Sequence, residues 1–234
     1  MIKLHFVFDK TNKSQILKKR LLILYKNYSP QKAHTIVVAG GDGFMLSTLK
    51  KYYKFNKNFY GINCGSYGFL LNRYSHDNLE KKILKAKKIT INPLEIKTSN
   101  KKKLIAINEV SLFRQSRQTA SLRLEISGKT IIKKLIGDGV LVSTPAGSTA
   151  YNLSAYGPIL SLNSGKLAIT AISPFRPRRW KGKIISNKLT IKLFNLDSTK
   201  RPIAAVADNV EIRNIKSLTV KINKKIKLNL LYDP

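Results

Sequence analysis

Three glycines and a carboxylate directly follow a short apolar run near the start of the chain. The run Thr35–Ala39 leads into Gly40, Gly41, Asp42 and Gly43. Glycines at the carboxyl end of a buried strand let the backbone approach phosphate groups, and a helix that follows offers unpaired N–H groups. A carboxylate there would repel phosphate unless it has a task, and accepting the proton of an attacking hydroxyl is one. We predict that the glycines bind phosphate and that Asp42 is the catalytic base. The alternative is a turn that only links strand to helix.

A polar pair, Asn108-Glu109, interrupts the apolar run Leu104–Ile107. A carboxylate only accepts hydrogen bonds and an amide both donates and accepts, so together they could hold the two neighbouring hydroxyls of a ribose. The alternative is a strand end that meets solvent. The sequence leaves both readings open for this pair taken alone.

The region richest in candidate ligand groups begins at Gly137-Asp138-Gly139. The apolar strand Val140–Val142 follows, and small and hydroxyl residues then lead into a predicted helix. Small residues leave room for a flat ring against the backbone, hydroxyls cap a helix or donate to a ligand, and a tyrosine can stack. This segment runs Ser143, Thr144, Pro145, Ala146, Gly147, Ser148, Thr149, Ala150, Tyr151, Asn152, Leu153, Ser154.

Other nucleotide and metal motifs fail on inspection. Gly128-Lys129-Thr130 resembles the end of a P-loop, but Arg123 stands where that motif needs glycine. No complete G-x-G-x-x-G occurs. The single cysteine, Cys64, and the scattered His5, His34 and His76 offer no zinc cluster. We therefore predict no metal site built from protein ligands alone.

The elements that must position these residues change character along the chain. Strands are predicted at Ile2–Phe8, Thr35–Ala39 and Phe59–Asn63, and they alternate with helices in βαβαβα order. The predicted helices are Ser14–Tyr28, Phe44–Tyr53 and Asn78–Lys88. This order is typical of an α/β, Rossmann-like domain with a parallel sheet.

Beyond Asn92-Pro93 the apolar residues recur with period two. Leu122–Ile126 and Thr130–Ile136 flank the turn residues Ser127-Gly128-Lys129, and the alternation returns at Leu189–Leu193 and from Leu218 onward. We predict two domains, residues 1–93 and 94–234, with the last residues free to return to the first. The second is β-rich and β-sandwich-like.

Taken in order, these motifs resemble those of the NAD kinase family. The resemblance also includes the stretch Gly61-Ile62-Asn63-Cys64-Gly65-Ser66-Tyr67-Gly68-Phe69-Leu70 and spans about residues 1–210. Its most specific part runs from Gly137 to Tyr151. The Gly-Gly-Asp-Gly loop alone is also similar to that of phosphofructokinases and diacylglycerol kinases.

The resemblance implies an α/β nucleotide-binding domain, a β-rich NAD-binding domain and phosphorylation of the 2′-hydroxyl of the adenosine ribose of NAD. ATP would be the phosphoryl donor, with polyphosphate as an alternative, and a divalent metal, Mg²⁺, would assist. Family members are usually homo-oligomers, dimers or tetramers. By similarity Asp42 takes the proton and the following residues contact NAD: Asp42, Gly43, Asn108, Glu109, Asp138, Ala146, Thr149, Ala150, Tyr151, Asn152, Leu153, Ser154, Ser173.

Two segments depart from the family pattern. Where many members have Pro-Ile-Cys-Pro-His, this chain has Ala171-Ile172-Ser173-Pro174-Phe175-Arg176-Pro177-Arg178-Arg179-Trp180. Its arginines could bind phosphate or contact another subunit, and with Trp180 they could form an RNA-binding platform. Ala207-Asp208-Asn209 stands where the family often has Asp-Gly. That difference leaves open any ligand role for Asp208 or Asn209.

The 234-residue chain is strongly basic, with a formal charge of +32. Solvated lysine faces, a nucleic-acid surface and attraction of polyanionic nucleotides would each explain it. We expect solvated faces and no nucleic-acid partner. A lipid or sugar kinase and a nucleic-acid-binding protein without activity are the rival functions. No apolar run is long enough to span a membrane and no signal sequence is evident, so we expect a cytoplasmic protein.

Overall fold

The computed structural model describes residues 2–66, 68–75, 78–178 and 180–234. Within the sequence motifs, Tyr67, His76 and Arg179 lie outside these residues. The chain forms two compact units, Met1–Ile91 with Lys225–Pro234, and Asn92–Lys224.

The first unit is an α/β layer. Its strands are β1 (Leu4–Phe8), β2 (Thr35–Gly40), β3 (Asn58–Asn63), β4 (Asn72–Arg73), β5 (Lys87–Ile91) and, from much later in the chain, β18 (Leu228–Tyr232). Its helices are α1 (Asn12–Leu24), α2 (Asp42–Tyr52) and α3 (Leu79–Lys85), with a 3-10 turn at Tyr53–Phe55.

The sheet of this unit has the order β1-β2-β3-β18-β5, with β4 beside β3. Strands β1, β2, β3 and β18 run parallel, whereas β5 is antiparallel to β18. Leu17 and Leu21 of α1 share one core cluster with Leu79 and Ile83 of α3. The predicted Rossmann-like parallel sheet is confirmed. The antiparallel edge strand β5 was not predicted.

Two predicted helices are too long. The first ends at Leu24 and not at Tyr28, because Tyr25 is already extended (φ −133°, ψ 135°). Its apolar face is narrower than predicted, since Ile16 and Leu24 are 71% and 60% exposed. The third ends at Lys85, and Lys87–Ile91 pairs with β18 as a strand. Tertiary pairing overrides the helical pattern that the lysines permit.

The second unit is a β-sandwich. One sheet has the order β10-β9-β14-β17-β6-β7 and the other β13-β12-β11-β8-β15-β16. The first contains β6 (Leu94–Thr98), β7 (Lys103–Ala106), β9 (Ala120–Ile126), β10 (Lys129–Gly137), β14 (Ile191–Asn195) and β17 (Ser217–Ile222). The second contains β8 (Glu109–Arg114), β11 (Gly139–Ser143), β12 (Lys166–Ile172), β13 (Lys183–Ser186), β15 (Ile203–Ala207) and β16 (Val210–Ile212). Inward-facing residues of both sheets form one buried core, which confirms the predicted sandwich.

The predicted hairpin around Gly128-Lys129-Thr130 is confirmed, but its turn consists of Ser127 and Gly128, and Lys129 and Thr130 already belong to β10. Ser127 and Gly128 have φ values of +46° and +85°. Positive φ at both central residues is the geometry of the tight turn that matches strand twist, and glycine adopts it readily. The alternation from Leu218 onward is not one strand: it divides into β17 of the second unit and β18 of the first.

The lysine runs lie at the surface. Lys81, Lys87 and Lys88 are exposed, as are Lys101, Lys102 and Lys103. Within the part of the chain that the structure describes, no helix is both long and apolar enough to cross a membrane.

Candidate functional site

The glycine loop joins the fully buried strand β2 to helix α2. Gly41 is the N-cap residue, and its carbonyl accepts hydrogen bonds from the N–H groups of Phe44 and Met45 at 3.0 Å each. A methyl group at Gly40 would lie 2.8 Å from the Phe44 ring, but one at Gly41 or Gly43 would meet nothing within 4 Å. Packing within the chain therefore requires glycine at position 40 only. Glycine at 41 and 43 keeps the helix N-terminus accessible to a ligand.

Asp42 is the first residue of α2 and is held by backbone groups. Its two carboxylate oxygens accept hydrogen bonds from the N–H groups of Phe69 (2.8 Å) and Leu70 (3.1 Å). The side chain remains partly exposed. A carboxylate that is fixed by two donors and still open to solvent has a defined orientation and can accept a proton from a bound group.

Asp9 and Cys64 lie beside this loop. Asp9 follows β1, and a methyl group at Gly40 would lie 2.9 Å from its Oδ2. Cys64 follows β3, and its N–H donates to the Gly40 carbonyl at 3.0 Å. Burial raises the pKa of the Cys64 thiol, and the Asp9 carboxylate raises it further. The thiol therefore stays protonated and is no nucleophile at neutral pH.

In the second unit, Ile107 and Asn108 form the turn between β7 and β8, and Glu109 is the first residue of β8. The Asp208 carboxylate accepts hydrogen bonds from three consecutive N–H groups, those of Ile107 (2.9 Å), Asn108 (2.9 Å) and Glu109 (3.3 Å). The Asn108 Oδ1 atom is buried and accepts no hydrogen bond from the described residues. Asp208, whose role the sequence left open, thus fixes the backbone of the polar pair.

The Ser143–Ser154 segment packs against the same turn. Thr144 donates its hydroxyl to the Ile107 carbonyl (2.6 Å) and its N–H to the Asn108 carbonyl (2.8 Å). Gly147 lies so close that a methyl group there would be 2.3 Å from the Asn108 oxygen. Only glycine allows this approach, so the segment and the polar pair pack directly against each other.

The segment contains a 3-10 turn (Ala146–Thr149) and the short helix α4 (Tyr151–Ser154). Ala146 is buried, Thr149 and Ala150 are partly exposed, and Leu153 and Ser154 are exposed. The side chain of Asn152 is fully buried. It donates to the carbonyls of Ser148 (3.2 Å) and Pro158 (2.9 Å) and accepts from the Thr170 hydroxyl (2.7 Å). This amide supports the segment from inside and does not face solvent.

Asp138 lies between two glycines that backbone packing requires. A methyl group at Gly139 would lie 1.9 Å from the Leu112 oxygen, and one at Gly137 would lie 2.9 Å from the Ser173 oxygen. The Asp138 carboxylate pairs with Arg114, whose Nε lies 2.5 Å from Oδ1. Arg114 did not stand out in the sequence, because it occupies an ordinary strand position on β8.

Two of the predicted carboxylates act electrostatically on the hydroxyl of Tyr151. Burial raises the pKa of its hydroxyl, and the charges of Asp138 and Glu109 raise it further. Its ring also contacts Phe113, with ring centroids 5.7 Å apart. The phenol therefore keeps its proton at neutral pH and can donate a hydrogen bond.

A cavity of about 760 Å³ opens next to Tyr151. Its lining includes Ser154, Ser173, Trp180 and Lys181. This volume falls within the ordinary range of ligand pockets. Three residues predicted to contact a dinucleotide, Tyr151, Ser154 and Ser173, thus share one cavity.

The Ser173–Trp180 loop forms part of that wall. The Phe175 and Arg176 N–H groups both donate to the Ile136 carbonyl, at 2.7 and 3.1 Å. Trp180 is partly buried against the sandwich core. Arg176 and Arg178 are exposed. The tryptophan therefore belongs to the cavity wall, and its other face packs on the sandwich core.

The described residues contain no group of three or more histidine, cysteine, aspartate or glutamate side chains that could hold a metal ion. Asp42 and Asp9, beside the glycine loop, are the carboxylates that chemistry there would use.

Comparison with known proteins agrees with this architecture. Residues 107–227 match the sequence model of the ATP-NAD kinase C-terminal domain. An NAD kinase of Rhizobium meliloti (strain 1021) is 45% identical over 235 residues, which cover 99% of this chain and 91% of the relative. One from Zymomonas mobilis subsp. mobilis is 46% identical over 230 residues, covering 96% and 89% respectively.

Two solved structures share the fold. An NAD kinase from Archaeoglobus fulgidus in complex with ATP aligns with a TM-score of 0.78 and 22% identity, covering 99% of this chain and 94% of its own. Yeast NADH kinase complexed with NADH aligns with a TM-score of 0.73 and 23% identity, covering 89% and 65%.

Proposed function

We propose that this chain, which belongs to the NAD kinase family, transfers the terminal phosphate of ATP to the 2′-hydroxyl of the adenosine ribose of NAD and so forms NADP. The observation that most directly supports this function is the Asp42 carboxylate at the start of α2. The N–H groups of Phe69 and Leu70 hold it in place, and a methyl group on the neighbouring Gly41 or Gly43 would meet no atom within 4 Å. The family match and the relatives at about 45% identity support the same activity.

A ribose hydroxyl is a weak nucleophile, so catalysis must come from orienting it in line with the phosphate and from removing its proton. In this proposal Asp42 accepts that proton. The N–H groups at the start of α2 hold phosphate oxygens, because Gly41 and Gly43 carry no side chain to block them. The surrounding positive charge favours a polyanionic donor.

A divalent metal, most simply Mg²⁺, could bind at this loop together with the substrate phosphates. Mg²⁺ is commonly held by one or two carboxylates together with substrate phosphates. Asp9, whose Oδ2 lies beside Gly40, could be such a carboxylate, which leaves Asp42 free to accept the proton, and the described residues offer no complete protein cage. A metal bound there would supply positive charge beside the phosphate oxygens.

The NAD-binding residues in this proposal are Asp42 and Gly43 together with residues of the second unit. Glu109 and Asn108 would hold ribose hydroxyls, and the buried Asn108 Oδ1 is an acceptor for a ligand donor. Tyr151, Ser154 and Ser173 would contact the dinucleotide from the cavity wall, and Asp138 would contact its nicotinamide end. Ala146, Thr149, Ala150 and Leu153 would shape the pocket. Asn152 would act through its buried amide and its backbone.

We also propose a homo-oligomer in the cytoplasm. Tyr156 is 96% exposed, Ile159 64% and Phe175 54%, and large apolar side chains at a surface often mark a subunit contact. A lone, buried and unpaired cysteine suits a reducing compartment.

Asp208→Asn is expected to raise the KM for NAD by about tenfold with kcat little changed. In the variant, the amide nitrogen replaces one carboxylate oxygen, so at least one of the three backbone N–H groups loses its acceptor and the Asn108-Glu109 backbone shifts. Steady-state kinetics with varied NAD measure this effect. Asp197→Asn is the matched control, since Asp197 also accepts a backbone N–H, from Lys200 at 3.1 Å, in an exposed turn. An unchanged KM in Asp208→Asn would separate Asp208 from NAD binding.

The function itself is tested by incubating the purified protein with NAD, ATP and Mg²⁺ and detecting NADP with an NADP-specific dehydrogenase. NADP formation is expected. A folded protein that forms no NADP with ATP or polyphosphate would contradict the proposal. Assays with lipid and sugar acceptors would then test the other kinases that share the Gly-Gly-Asp-Gly loop.

A further inference from the structure

Strand β18 enters the middle of the first unit's sheet, between β3 and β5. The residues at its end, Leu231 to Asp233, contact the segment that holds Asp42. These residues come about 190 positions after Asp42 in the sequence, and no sequence motif includes them.

Phe69 links Asp42 to Tyr232. Phe69 donates its N–H to the Asp42 carboxylate at 2.8 Å, and its carbonyl accepts a hydrogen bond from the Tyr232 hydroxyl at 3.2 Å. Leu70 provides the second N–H to Asp42. The tyrosine and the aspartate therefore bind the same residue from its two polar groups.

Asn72 ties the same segment to the strand a second time. Its side-chain amide donates to the carbonyls of Leu231 (2.9 Å) and Gly61 (3.0 Å), and its oxygen accepts from the Asp233 N–H (2.9 Å). The Asn72 side chain is 6% exposed, so these bonds are shielded from water. Bonds in such surroundings are costly to leave unmade.

Asp233 is anchored in turn. Its carboxylate accepts from the Tyr60 hydroxyl at 2.7 Å and pairs with Lys82, whose Nζ lies 2.6 Å from Oδ2. Tyr60 is buried in β3. The end of β18 is thus fixed to the rigid sheet, and Tyr232 is held by fixed neighbours on both sides.

We infer that Tyr232 is a positioning residue for Asp42, acting through the backbone of Phe69 and Leu70. This inference rests on the proposed function, in which Asp42 accepts the proton. A hydroxyl that must be in line with a phosphate tolerates little error, since a displacement of about 1 Å can cost about 10² in rate.

The state of the tyrosine suits this role. Burial raises the pKa of the Tyr232 hydroxyl above its ordinary value, and the Asp42 carboxylate raises it further. The phenol therefore keeps its proton throughout the neutral range and remains a donor to the Phe69 carbonyl.

Tyr232→Phe keeps the ring and removes only this hydroxyl. We expect kcat to fall about tenfold, with the KM for NAD changed by less than about twofold. Tyr25→Phe is the matched control, because the Tyr25 hydroxyl also binds a backbone group of the same unit, the Leu79 N–H at 3.2 Å, away from Asp42. Equal kcat values for Tyr232→Phe and the parent protein would overturn the inference.

A double-mutant cycle separates positioning through Asp42 from a general structural effect. In an Asp42→Asn background, Tyr232→Phe should have no further effect on kcat, because the group it positions is already lost. Effects that multiply in the double mutant would show that Tyr232 acts elsewhere.

Hydrogen exchange gives a readout that needs no substrate. The Phe69 and Leu70 amides should exchange faster in Tyr232→Phe than in Tyr25→Phe. Unchanged exchange would overturn the inference even in an active enzyme. Faster exchange in a protein that forms no NADP would instead place the failure in the proposed function.

Discussion

Asp42→Asn is expected to lower kcat for NADP formation by a factor of about 10² to 10⁴. The amide has nearly the same shape as the carboxylate but cannot accept the proton of the ribose hydroxyl. The asparagine NH₂ group would also face one of the two N–H groups, of Phe69 or Leu70, that donate to the carboxylate in the parent protein. Initial rates with an NADP-specific dehydrogenase measure the loss, and thermal unfolding shows whether the fold is kept.

Glu80→Gln is the matched control for this substitution. Glu80 is in the same unit and also accepts a backbone N–H, that of Ile2 at 3.1 Å, but it lies on α3. Its change from carboxylate to amide should leave kcat unaltered. Near-full turnover in Asp42→Asn would remove Asp42 from the mechanism, whatever the control shows.

Gly147→Ala is expected to raise the KM for NAD at least tenfold and to lower the free energy of unfolding by about 1–3 kcal/mol. The added methyl group would lie 2.3 Å from the carbonyl oxygen of Asn108 and 2.6 Å from the Cα of Asn108, so the backbone of the polar pair must move. Denaturant unfolding and NAD titrations of the initial rate measure the two effects.

Gly65→Ala provides the comparison, since a methyl group there meets only the Asn63 Oδ1, at 3.4 Å. It should change stability and the KM for NAD little. If Gly147→Ala bound NAD as tightly as the parent protein, the contact between Gly147 and Asn108 would have no part in substrate binding.

The local parts of the fold could be predicted because each depends on neighbours in sequence. The apolar, mostly β-branched run at Thr35–Ala39 favours a strand buried on both faces, and Ser127-Gly128 favours a tight turn. The end of α3 could not, because Lys87-Lys88 suits a helix surface as well as an edge strand. What decides there is the pairing of β5 with β18, more than 130 residues away.

The candidate site shows the same division. Asp42 and Asn108-Glu109 stand out because polar groups directly follow apolar runs. The contacts of their neighbours could not be predicted: Asp208 lies 100 residues from the Asn108 N–H that it accepts, and Arg114, which pairs with Asp138, has the sequence context of any strand residue. Asn152 could be assigned to the segment, but its burial depends on Thr170 and Pro158, which only the folded chain brings near.

The placement of β18 also bears on when this protein becomes competent during synthesis. A domain whose sheet is contiguous in sequence can fold as soon as it leaves the ribosome. Here the first unit lacks a central strand until residue 232 has emerged, after the whole sandwich has been made. Until then β3 and β5 have no partner between them, and Phe69 lacks its bond from Tyr232. The residues of the sandwich are therefore all synthesised before the residue whose hydroxyl fixes the Phe69 carbonyl, so Asp42 gains this support only at the end of synthesis.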